Sequence, residues 1–75
     1  MNDFTGSIAS FDQSLRAARE ANQKPVVNVN ALRGDSLARI DRYAEAEEAF
    51  RAEIALYPEN PLPYRYLEAL RASLR

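Results

Sequence analysis

The chain has 75 residues, 47% of them apolar and 28% charged, which excludes two folded domains and leaves room for one small core. It contains no Cys and no His, so disulfides, thiolate metal sites and the commonest general base are missing; no catalytic residue, metal or cofactor is expected, and the chain is read as a non-enzyme. Eleven acids against ten bases leave a net charge of −1, which gives no general attraction to phosphate backbones or anionic lipid, so neither nucleic acid nor membrane is an expected partner.

No stretch approaches the roughly 20 apolar residues of a membrane helix, and Met1-Asn2-Asp3-Phe4 lacks the pattern of a secretory signal, so a cytoplasmic location is expected. Thirteen Ala and eight Leu against three Val and three Ile favour helix over sheet, because β-branched residues lose more side-chain freedom in a helix. The expected class is all-α, with about four helices.

Phe4, Ile8, Phe11, Leu15 and Ala18 fall on one stripe of a first helix near residues 3 to 22, with Asp12, Gln13, Arg16 and Glu20 on its other side. Asn2 or Asp3 can cap it, and Asn22-Gln23-Lys24-Pro25 ends it. The alternating run from Pro25 to Asn30 has a strand-like look but no pairing partner, and it reads as a connector.

Asn28 is then the expected N-cap of a second helix reaching about Ile40, with Val29, Leu32, Ser36, Leu37 and Ile40 on one side. A second stripe of Val27, Ala31, Gly34 and Ala38 is mostly small. Gly34 inside a helix costs about 1 kcal/mol relative to Ala, and close approach of another helix is the reason assigned to it.

The third helix carries Tyr43, Ala46, Ala49, Phe50, Glu53, Ile54 and Tyr57 at helical spacing and stops at Pro58. Glu45, Glu47, Glu48 and Glu53 read as a solvated face, favoured early in the helix by its dipole, rather than as an acid/base or metal cluster. Pro61, Leu62 and Pro63 suit the first turn of a fourth helix, with Tyr64, Leu67, Leu70 and Leu74 on one side and Leu62, Tyr66 and Ala69 on a second. Two apolar sides suggest an uncovered contact, and Leu62, Tyr66 and Leu70 are the expected self-association surface of a homo-oligomer.

Sliding the chain on itself by about 39 residues aligns Phe4 with Tyr43, Ser7 with Ala46, Phe11 with Phe50 and Leu15 with Ile54. A helix that recurs after an intervening helix is the mark of stacked helix-turn-helix arrays. Gly34, Leu37, Tyr43, Ala46, Phe50 and Pro58 also stand at the spacings of the tetratricopeptide repeat, whose unit is about 34 residues. The offset of about 39 exceeds that period by roughly five residues, an excess absorbed by Ala21 to Pro25. The run from Arg42 to Phe50 resembles the second helix of that repeat, and Tyr57 to Pro61 resembles its boundary. Asn30 and Arg33 replace apolar residues usual in the family, and Asp41 stands where a turn glycine is common.

The resemblance implies one domain over residues 1–75: an α-solenoid fragment with the second helix of one repeat at 2–20, a full repeat at 27–60 and the first helix of another at 61–75. It implies a non-catalytic protein-interaction module whose first helices line a groove for a protein or peptide partner. Asn28, Ala31, Asp35, Ala38 and Arg39 would face that groove with Leu62, Arg65 and Ala69, and the polar set Asn28, Asp35, Arg39 and Arg65 would hydrogen-bond an extended segment. The carboxylate clamp of some family members is not supplied by Ala31, Asp35 and Ala69. The alternative is a structural oligomerisation or spacer element, or a piece of a longer repeat protein. Two further motifs are set aside: Arg33-Gly34-Asp35 spells an adhesion tripeptide but falls within a predicted helix, and Arg65, Arg71 and Arg75 lack the aromatic array of an RNA-binding face.

Overall fold

In the computed structural model, which describes residues 3–74, the Asp3 carboxylate accepts the Gly6 N–H at 2.8 Å and opens the first helix, α1 (Phe4–Glu20). Asn2, the other expected cap, and Arg75 lie outside the described residues. Asn22 takes a left-handed conformation at φ 56°, and the Gln23 N–H reaches back to the Ala18 carbonyl at 2.8 Å. That reach-back ends the helix two residues before the expected Asn22.

The strand-like run is a strap. Lys24 Nζ donates to the Leu56 carbonyl at 3.3 Å and lies 5.2 Å from the centre of the Tyr57 ring, and the Tyr57 hydroxyl donates to the Pro25 carbonyl. The remaining helices are α2 (Val29–Arg39), α3 (Tyr43–Leu56) and α4 (Leu62–Ser73), with no strand among the described residues. The all-α class with four helices therefore holds. No helix among the described residues is long and apolar enough to cross a membrane.

Asn28 precedes α2 but does not cap it with its side chain. It sits at φ 76°, where Asn is tolerated better than most residues, and its Oδ1 accepts from Asn60 Nδ2 at 2.7 Å instead. The buried face of α2 also differs from the expected one: Ala31 and Leu37 are fully covered, whereas Leu32 is 40% and Val27 47% exposed. Small residues decide the face because they let α3 come close. A Cβ built on Gly34 would lie 2.5 Å from Phe50 Cε1, inside any van der Waals contact, so the expected close approach is real and its partner is the Phe50 ring.

Asp41 turns the chain at φ 65°, with the Arg42 N–H on the Leu37 carbonyl at 2.9 Å and the Asp41 N–H on the Ala38 carbonyl at 3.1 Å. This six-to-one and four-to-one closure fixes the α2–α3 hairpin. α3 buries Ala46, Ala49, Phe50 and Glu53. α4 opens on Pro61 and buries Pro63, Leu67 and Leu70, while Tyr64 and Leu74, expected beside them, are 48% and 57% exposed. α1 packs on α2, α2 on α3, α3 on α4, and α2 also meets α4. One core joins Ile8, Leu37, Ala46, Ala49, Phe50, Leu67 and Leu70.

Candidate functional site

Where α2 meets α4, the helices leave a recess of about 200 Å3. α2 contributes Asp35, Ala38 and Arg39, α4 contributes Tyr66, Ala69 and Ser73, and Phe50 forms the floor. The recess exists because Ala38 and Ala69 have no bulk to fill it. Arg39 Nε pairs with Asp35 Oδ2 one turn back at 3.2 Å, and its guanidinium carbon lies 5.4 Å from the centre of the Phe4 ring. The Arg39 side chain is 55% exposed, so screening keeps the contribution of this pair to stability small.

Tyr66 stacks on Phe50 with ring centres 5.4 Å apart. Burial pushes its phenol above the ordinary range, the Asp35 carboxylate adds to the rise and Arg39 opposes it. At the recess edge, the Tyr43 hydroxyl donates to Asp41 Oδ1 at 2.7 Å; that bond, then burial, then the Asp41 charge raise the Tyr43 phenol as well. In both cases the folded value exceeds the unfolded one. Their contribution is therefore complete below the unfolded phenol range near 10 and is lost as pH rises through the folded values. Denaturant midpoints measured from about pH 9 to 11 should fall less steeply for the Tyr43→Phe/Tyr66→Phe variant than for the wild type; parallel curves would remove these phenols from the account.

Of the groove residues expected from sequence, Asp35, Ala38, Arg39 and Ala69 come together. Ala31 does not, being fully buried. Asn28 is tied elsewhere: its N–H donates to Glu53 Oε2 at 3.1 Å, Asn60 Nδ2 donates to the same oxygen at 3.2 Å, and Asn60 Oδ1 accepts the Leu62 N–H at 3.2 Å. Arg65 is exposed on α4 but does not line the recess.

The residues of the expected self-association surface are partly covered within the chain. Leu70 is 6% exposed in the core, Tyr66 packs on Phe50 and Leu62 is half-buried, because α4 turns the Leu67 and Leu70 side inward and leaves Tyr64 outside. Glu53 corrects the reading of a solvated acidic face: it is fully buried and joins the strap, α3 and the start of α4 through Asn28 and Asn60. Its position three residues after Phe50 on the inward stripe was the available signal, and its charge argued the other way. Arg33-Gly34-Asp35 lies within α2, with Gly34 buried and Arg33 Nε on Asp12 Oδ1 at 2.6 Å, so it is not an exposed loop. Among the described residues, no group of three or more acidic side chains is placed to hold a metal ion.

No family model, no curated protein and no solved structure matches this chain.

Proposed function

We propose that the chain is a non-catalytic protein-interaction module of tetratricopeptide-repeat type, which takes an extended peptide segment along α2 and α4. The observation that carries this reading is the recess between those helices, where Asp35, Arg39 and Ser73 stand among aromatic and aliphatic side chains. The Tyr66 hydroxyl has no hydrogen-bond partner among the described residues and is free for a peptide carbonyl. Arg39 and Asp35 offer a donor and an acceptor of opposite charge on the same wall.

Three features support the repeat reading: the Gly34–Phe50 approach, the full burial of Ala46, and the left-handed Asp41 at the turn.

Panning a random peptide display library against the chain tests the proposal. Enriched peptides should shift the amide signals of Arg39, Ala69 and Tyr66 in a nitrogen-proton correlation spectrum. Absence of enrichment, or shifts confined to other surfaces, would sink the reading.

A further inference from the structure

We propose a second binding site, at the opposite end of α2 from Arg39, that takes an acidic extended peptide segment of a partner protein. It consists of two adjoining recesses of about 510 and 360 Å3 that share Leu15 and Arg19. Neither shares a lining residue with the recess between α2 and α4.

Charge points to the ligand. Arg16, Arg19, Lys24 and Arg33 line these recesses against one acid, Asp12, in a chain whose net charge is −1. Asp12 is taken by Arg33 at 2.6 Å. Lys24 is held by the Leu56 carbonyl and the Tyr57 ring. Arg16 and Arg19 remain exposed, without an ion-pair partner among the described residues. Two unpaired guanidinium groups one turn apart on α1 suit the carboxylates of successive acidic side chains.

Asn30 supplies a second, independent observation. It is 6% exposed, it lines the larger recess, and its carboxamide makes no hydrogen bond to a described residue. A buried polar group is ordinarily paired. A carboxamide has a donor and an acceptor side by side, which matches a peptide group.

The remaining lining selects peptide over nucleic acid. Leu15, Pro25, Ala52 and Leu56 give an aliphatic wall, and no aromatic ring lines either recess. An aliphatic side chain finds cover there, whereas a nucleobase finds no ring to stack on.

A synthetic peptide alternating leucine and glutamate, titrated into the labelled chain, tests the assignment, with the leucine–glutamine counterpart as control. The acidic peptide should shift the Asn30 carboxamide and Arg19 Nε signals, and added salt should weaken it. Arg16→Glu/Arg19→Glu should lower its affinity at least about tenfold while leaving the melting curve intact, since both side chains are exposed. Ala69→Arg, which obstructs the other recess, should leave it unchanged, so failure here and failure of the groove proposal are separable. The assignment is overturned by no shift with peptide on the order of 1 mM, by equal binding of the glutamine peptide, by shifts centred on Tyr66, or by tighter binding of a single-stranded oligonucleotide to the same signals.

Discussion

Phe50→Ala should cost the chain a large share of its stability. Phe50 is 1% exposed, its ring faces Gly34 from α3 and carries the Tyr66 ring from α4, so the truncation opens a cavity where three helices meet. Such truncations cost about 3 to 5 kcal/mol. At roughly 0.05 to 0.15 kcal/mol per residue, a chain of this length holds on the order of 4 to 11 kcal/mol in total. The loss therefore takes between about a quarter and all of that stability, and it disturbs the recess between α2 and α4, whose floor is Phe50. Urea denaturation followed by circular dichroism measures this directly. A midpoint close to wild type would place Phe50 outside the core.

Gly34→Ala should destabilise, against the sign that helix propensity gives. In an unobstructed helix the change gains about 1 kcal/mol. Here the new methyl group would lie 2.5 Å from Phe50 Cε1 and 2.7 Å from Cδ1. The ring has little room to withdraw, with Tyr66 stacked 5.4 Å away, and overpacking of this kind costs about 1 to 3 kcal/mol. The steric effect exceeds the propensity gain. Combining the substitution with Phe50→Leu, which removes the ring atoms nearest the new methyl, should recover at least about 0.5 kcal/mol relative to the sum of the single changes. Strict additivity would mean that Gly34 and Phe50 do not touch.

Helix positions were legible in the sequence because apolar spacing, prolines and turn residues act locally. Asp3, Pro58 and Pro61 bound the helices near their expected places, and Asp41 makes the left-handed turn that its position required. Gly34 was legible for the same reason: a glycine amid a small-residue stripe signals a close neighbour. What the sequence concealed were partnerships across distance. Glu53 reads as a surface residue until Asn28 and Asn60 are brought beside it, 25 and 7 residues away in the chain. Asn28 reads as a cap until Asn60 claims its side chain.

The two apolar edges of α4 were not separable in the sequence, because a stripe of Tyr and Leu has two edges and periodicity does not say which one a neighbour covers. α3 covers Leu67 and Leu70, leaving Tyr64 and Leu74 outside. Half of the polar groove set was legible, since Asp35 and Arg39 sit one turn apart on the helix face that meets α4. Tyr66 reads as a contact residue from its spacing, and within the chain it packs on Phe50 and lines the recess.

A peptide selected by display on the Arg16→Glu/Arg19→Glu variant, in which the second site is disabled, should bind the wild-type chain through the recess between α2 and α4. Its affinity for Ala69→Arg, measured by calorimetry, tests that groove most directly. Ala69 is exposed at that recess, so the arginine should fill the gap without disturbing the core and lower the affinity at least about tenfold, or roughly 1.4 kcal/mol, with an unchanged melting curve. Equal affinity for the two proteins would contradict a groove along α2 and α4.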